Sequence, residues 1–179
     1  VDILVNNFGK PASSSWDSID NWALEWEQNV LLGVKVTQLL VDGMKAKEWG
    51  RVIFVGTVGV DRPRNHSPGY YGAKASLHAI VRTLAMDLRG TGVTANMFNP
   101  GMIATAEVKE MLTNAAGRRS LSTDWESVES WASTEYFPNL TSRIATPEDI
   151  GRVVSFLASE QAWYINGASI AVDGGSVDA

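Results

Sequence analysis

The chain has 179 residues, 45% hydrophobic and 20% charged, with a net charge of −5 and no cysteine. This is the composition of one globular domain; it excludes disulfides and thiolate metal sites, and the interleaved charges leave no basic surface for nucleic acid. No apolar run approaches the roughly 18 residues of a membrane span and no signal-like start is present, so a soluble, cytoplasmic protein with one core is expected.

Val1–Val5 is an apolar run suited to a central parallel strand, and it exits through Asn6-Asn7-Phe8-Gly9. Doubly wound sheets bind ligands outside the carboxyl ends of their strands, which places a ligand at that exit. Beginning inside a buried-strand pattern with no initiator Met, the chain reads as a cut fragment. After a loop with Pro11 and three serines, Asp20 is predicted to cap a helix carrying Trp22, Leu24, Trp26, Val30 and Leu31, running or stepping on to Met44. Asn29 sits inside it among apolar neighbours. An Asn there disfavours the helix unless it faces water or its amide is used.

Gly50 stops that helix, and Arg51–Val55 is the second predicted strand, ending at Gly56-Thr57-Val58-Gly59. Pro68 and Gly69 break the chain before Tyr70-Tyr71-Gly72-Ala73-Lys74. Apolar residues then recur at Ala75, Leu77, Ile80, Val81, Leu84, Ala85 and Leu88, a helical spacing. Tyr70 and Lys74 therefore lie one turn apart on one face.

A free phenol has a pKa of about 10 and exchanges its proton poorly at neutral pH. A nearby ammonium favours phenolate and lowers that value. A phenol tuned this way can give a proton to a carbonyl oxygen or take one from an alcohol. Thr57, at a strand end beside the same helix, could hydrogen-bond the same oxygen. Each feature alone is ordinary, since Tyr and Lys four apart occur on many solvated helix faces and Thr often closes a turn.

After Gly90-Thr91-Gly92, Val93–Phe98 forms a third strand, followed by Asn99-Pro100-Gly101-Met102-Ile103-Ala104-Thr105. The alternation of helix and strand predicts a parallel sheet with right-handed crossovers. Residues 106–146 are charged, helix-prone in pieces and carry Trp125, Trp131, Tyr136 and Phe137 without a strand. A long excursion of this kind reads as a substrate loop or lid, or else as a surface insertion packing on its own aromatics. Thr146-Pro147-Glu148-Asp149 then starts a helix through Leu157, with hydroxyl cap, early Pro and acids at the positive end of the dipole. Ala168–Val172 is the last strand, ending in Asp173-Gly174-Gly175. His66 and His78 are the only histidines, and no metal is expected.

Together these pieces resemble the short-chain dehydrogenase/reductase family over the whole chain. Five features match in order: Asn6-Asn7-Phe8-Gly9, similar to the family's Asn-Asn-Ala-Gly; Asn29; the Thr57 hydroxyl; Tyr70-x-x-x-Lys74; and Pro100-Gly101 followed by Thr105. The ending, from Pro147-Glu148-Asp149-Ile150 to Val172-Asp173-Gly174-Gly175, is similar to the family's carboxyl-terminal pattern. Its members labelled 3-oxoacyl carrier-protein reductase-like look most like residues 107–147. The fold implied is α/β, a doubly wound parallel sheet in a Rossmann-like three-layer sandwich, here the C-terminal part with about four strands and without the first βαβαβ portion.

The resemblance implies roles. Tyr70 would be the general acid/base, with Lys74 lowering its pKa and holding the nicotinamide ribose. Thr57 would orient the substrate oxygen, and Asn29 would hold a water behind Lys74. Asn6, Gly9, Pro100, Gly101, Ile103 and Thr105 match positions lining the cofactor, NAD or NADP. Tyr71, three residues from Lys74, does not fit the motif. Thr57 stands where Ser is usual, and its methyl narrows the pocket. Phe8 stands where a small residue is usual, so its ring must point away from the nucleotide.

The family's Gly-rich turn, which cradles the pyrophosphate at a helix N-terminus, is not among these residues. A missing βαβαβ portion would be on the order of 70 to 80 residues, at roughly 30 per βαβ unit. The 179 residues alone are therefore expected to bind cofactor poorly and to be inactive. The expected activity is hydride transfer between nicotinamide and a small-molecule carbonyl/alcohol pair. The alternatives are a non-catalytic nucleotide-binding or assembly subunit, or a lyase or epimerase on the same scaffold. The helices around Gln28–Lys47 and Tyr70–Arg89 resemble the family's subunit contacts, which implies a homotetramer or homodimer.

Overall fold

A computed structural model describes residues 1–176. Four parallel strands, β1 (Ile3–Asn6), β2 (Gly50–Val55), β3 (Val93–Pro100) and β4 (Ser169–Val172), form one sheet in the order β1-β2-β3-β4. Between them run α1 (Asp20–Trp26), a π-helical turn (Glu27–Leu31), α2 (Leu32–Ala46) and α3 (Pro68–Asp87). After β3 come α4 (Ala106–Gly117), α5 (Trp125–Trp131), a second π-helical turn (Ala132–Tyr136) and α6 (Pro147–Ala158).

The near-continuous apolar run of β2 is explained by burial on both faces. Val52 and Phe54 join Val30, Met44, Ala73, Leu77 and Val81 in the core beneath α2 and α3. The alternate residues Ile53 and Val55 pack with Phe98, Leu157, Ile150 and Val153 beneath α6. This period-2 division sets helices on both faces of the sheet.

The run Val1–Val5 forms β1, which pairs with β2 in the described sheet, with Ile3 and Val5 exposed. Asp20 is not the cap. It is the first residue of α1, and its N–H donates to the Ser18 hydroxyl at 3.2 Å. The start of α6 is as expected: the Thr146 hydroxyl accepts from the Asp149 N–H at 3.2 Å and the Asp149 carboxylate accepts from the Thr146 N–H at 2.9 Å, a reciprocal capping box.

Residues 106–146 contain no described strand and form a small core of their own from Leu112, Ala116, Val128 and Ala132, joined by Ala104 and Ile144. The bridge between Ile103 and Ala145 closes its base. Among the described residues no helix is long and apolar enough to cross a membrane, and no group of three or more His, Asp or Glu could hold a metal ion.

Candidate active site

The exits of β2 and β3 open onto a cavity of about 1150 Å³. Thr57 and Gly59 line it from the β2 exit, Pro100 and Gly101 from the β3 exit, and Tyr70 and Tyr71 from the first turn of α3. Tyr136 and Phe137, from the 106–146 excursion, also line it.

The first turn of α3 is held in place by the loop after β1. Ser67 takes the left-handed conformation (φ 54) before Pro68 begins the helix. The Gly69 N–H donates to the Ser14 hydroxyl at 2.9 Å, and the Ser67 N–H donates to the Ser14 carbonyl at 3.2 Å. That loop is in turn tied to α1, because the Glu25 carboxylate accepts from the N–H groups of Ala12 (2.7 Å) and Ser14 (3.4 Å). Glu25 is 0% exposed, and its second oxygen has no hydrogen-bond partner. A Cβ at position 69 would stand 2.6 Å from that oxygen, so only glycine fits there.

Tyr70 is half-buried, and burial pushes its phenol above the ordinary pKa of 10.0. The Thr57 side chain works in the opposite direction, while Tyr71 and Glu25 add to the rise. The expected tuning of the phenol by Lys74 is not what the structure shows. The Lys74 ammonium donates to the Val55 carbonyl at 2.8 Å and is not among the groups that shift Tyr70. Its own pKa is lowered by burial to about 8. A four-residue spacing fixes the distance between two backbone positions, not which acceptor a four-carbon stem reaches.

Lys74 belongs instead to a cluster with Gly9 and Asn29. Asn29 lies in the π-helical turn between α1 and α2, the kind of local widening that often marks a functional site. Its amide donates to the carbonyls of Glu25 (2.9 Å) and Lys10 (3.0 Å), which leaves its Oδ1 buried without a partner. A Cβ on Gly9 would stand 2.4 Å from that Oδ1 and 3.1 Å from the Lys74 Nζ. Both polar atoms therefore converge on the bare α-carbon of Gly9, whose φ is +148.

The other expected cofactor residues are placed differently. The Asn6 amide donates to the Thr37 hydroxyl on α2 at 3.1 Å. Ile103 makes the bridge to Ala145, and Thr105 caps α4 by accepting from the Val108 N–H at 3.3 Å. Neither Ile103 nor Thr105 lines the cavity, whereas Pro100 and Gly101 do.

Residues 1–177 match the family model described as enoyl-(acyl carrier protein) reductase, and the oxidoreductase YvaG of Bacillus subtilis is 34% identical over 99% of this chain and 67% of its own length. The chain belongs to the short-chain dehydrogenase/reductase family. Another relative is the 3-oxoacyl-(acyl-carrier-protein) reductase MabA of Mycobacterium tuberculosis, 33% identical over 98% of this chain and 65% of that protein. The crystal structure of L-sorbose reductase from Gluconobacter frateurii, complexed with NADPH and L-sorbose, superimposes with a TM-score of 0.87 at 29% identity. It covers 100% of this chain and 67% of that one. The chain thus spans about two thirds of the length of the relatives it matches.

Two departures from the short-chain dehydrogenase/reductase pattern are resolved structurally. Thr57 lines the same cavity as Tyr70 despite the extra methyl, and Phe8 is exposed. Sequence reasoning missed Glu25, Ser14, Arg62 and Arg64. A signal existed for Glu25, an acid four residues before Asn29 and therefore on the same helical face.

Proposed function

We propose that this chain carries the proton-transfer machinery of an NAD- or NADP-dependent oxidoreductase acting on a small-molecule carbonyl/alcohol pair, with Tyr70 as general acid/base. The observation that carries the reading is that Thr57 and Tyr70 line one cavity with Pro100 and Gly101 in a member of this family.

The residues present fit the nicotinamide–ribose end of such a cofactor. An orphaned amide oxygen and a buried ammonium face the bare α-carbon of Gly9, and a hydroxyl or a water between them would donate to Asn29 and accept from Lys74. Pro100 and Gly101 offer a second wall with no polar side chain. When bound, the nicotinamide dinucleotide supplies or accepts the hydride.

The remaining chemistry belongs to the chain. Thr57 and Tyr70 hold the substrate oxygen between two hydroxyls. With its pKa raised, the phenol is fully protonated at neutral pH and gives its proton to the carbonyl oxygen during reduction. Lys74 and Asn29 restore that proton through groups held near Gly9. Residues 106–146 act as the substrate lid, which the place of Tyr136 and Phe137 in the cavity wall supports. The exposed Leu24, Trp26, Leu31, Leu32 and Leu39 on the α1–α2 segment, with Met86 on α3, support a homodimer or homotetramer.

Tyr70→Phe in the whole protein tests the reading. Carbonyl-dependent oxidation of NADH or NADPH is expected to fall by about 10²- to 10⁴-fold while the circular dichroism spectrum is unchanged. Reduction at the wild-type rate would remove Tyr70 from the chemistry.

A further inference from the structure

We propose that Arg64 makes the Tyr70 cavity selective for oxo substrates that carry a carboxylate, an inference that rests on the oxidoreductase reading above. Four of the chain's nine arginines, Arg62, Arg64, Arg143 and Arg152, line this one cavity, although the chain as a whole has a net charge of −5. With Glu148, Asp149 and Asp173 in the same lining, four positive charges against three negative leave the cavity net positive in a chain that is net negative. Arg62 and Arg64 lie on the segment between Thr57 and Tyr70, so the residues that face the reacting oxygen and the two guanidinium groups belong to one stretch of chain.

The Arg64 guanidinium is stacked over the Phe137 ring at 4.5 Å and stands 6.0 Å from the Tyr136 ring. Its partners among the described residues are these rings, and no carboxylate pairs with it. Stacking uses the flat face of a guanidinium and leaves its N–H donors free in the plane, a fixed fork that matches the two oxygens of a carboxylate.

None of the three acids in the same lining pairs with Arg64. Asp149 is committed to the cap of α6 and to Arg152 at 2.7 Å, Asp173 accepts from the Gly175 N–H and the Ser176 hydroxyl, and Glu148 lies on the first turn of α6. Charge-assisted hydrogen bonds are the strong ones, and a carboxylate at Arg64 is expected to raise kcat/KM by about 10- to 100-fold over an uncharged analogue of the same size.

The test uses the whole protein and a panel of oxo acids, each paired with its methyl ester, with both reduced nicotinamides. Wild type is expected to prefer the acid by about 10- to 100-fold in kcat/KM. That ratio should fall to about one in Arg64→Leu and be partly kept in Arg64→Lys, a point charge without the fork. A wild-type ratio near one, or a ratio unchanged in Arg64→Leu, overturns the inference while leaving the reductase reading in place. Arg64 would then serve only to hold the lid aromatics. If no oxo compound in the panel is reduced at all, both readings fall together.

Discussion

The Lys74 ammonium stands 2.8 Å from the Val55 carbonyl at the end of β2, buried to 4% exposure, and its pKa is lowered to about 8 from the ordinary 10.5. The folded chain therefore holds this proton less tightly than the unfolded chain does. Below about pH 8 both states are protonated and the cost of burying the charge is present in full. Between that point and 10.5 the folded state has released the proton while the unfolded state keeps it, so the site's contribution to stability rises with pH. From pH 7 to pH 10 the stability of wild type relative to Lys74→Met is expected to improve by on the order of 2 kcal/mol. Denaturant midpoints of the two proteins across that range check this, and a difference flat in pH would show that the ammonium is not desolvated.

Thr57 offers a second, chemically separate handle on the same reaction. Its side chain is the one influence that lowers the Tyr70 pKa, against burial, Tyr71 and Glu25, which raise it. Thr57→Val removes the hydroxyl and keeps the shape, so the pH–rate limb assigned to the phenol should move to higher pH. On the proposed reaction kcat/KM should fall by about 10²-fold. Thr57→Ser keeps the hydroxyl and should stay within several-fold of wild type with an unmoved limb. A loss in Thr57→Ser with none in Thr57→Val would mean that the methyl, not the hydroxyl, matters.

Much of this architecture could be read from residue pattern because pattern and burial share a cause. Val52 and Phe54 against Ile53 and Val55 report a two-sided strand, and Thr146-Pro147-Glu148-Asp149 reports a helix start through local hydrogen bonds alone. Thr57, Tyr70, Pro100 and Gly101 meet on one cavity because each ends or follows an element whose place the sheet dictates. What could not be read depends on where long side chains and loops settle. The choice of Val55 by Lys74, the use of Asn6 on Thr37, and the stacking of Arg64 on Phe137 are contacts between distant segments with no periodic signature.

Gly9 and Asn29 should behave as one unit. A methyl at position 9 would lie 2.4 Å from the Asn29 Oδ1, at a φ of +148 that side chains rarely adopt. Gly9→Ala is expected to cost about 1–3 kcal/mol of stability. Asn29→Ala removes the clashing oxygen but also the bonds to Glu25 and Lys10. The double variant should therefore be less destabilised than the sum of the singles, by on the order of 1 kcal/mol. Strict additivity in thermal or denaturant unfolding would show that the α-carbon of Gly9 and the amide do not touch.

Glu25 is the buried charge that the proposed reaction does not consume, and its variants separate architecture from electrostatics. Glu25→Leu leaves the Ala12 and Ser14 N–H groups without their acceptor, at about 1–3 kcal/mol each, and frees the loop that holds the start of α3. Glu25→Gln keeps an oxygen for both donors and should be much closer to wild type in stability. It also removes a negative charge that raises the Tyr70 pKa. The Tyr70 limb of the pH–rate profile in Glu25→Gln should accordingly move to lower pH, opposite to the shift in Thr57→Val. A limb that stays in place, with the fold intact, would reduce Glu25 to a scaffold residue, because only its charge and not its shape is altered by that substitution.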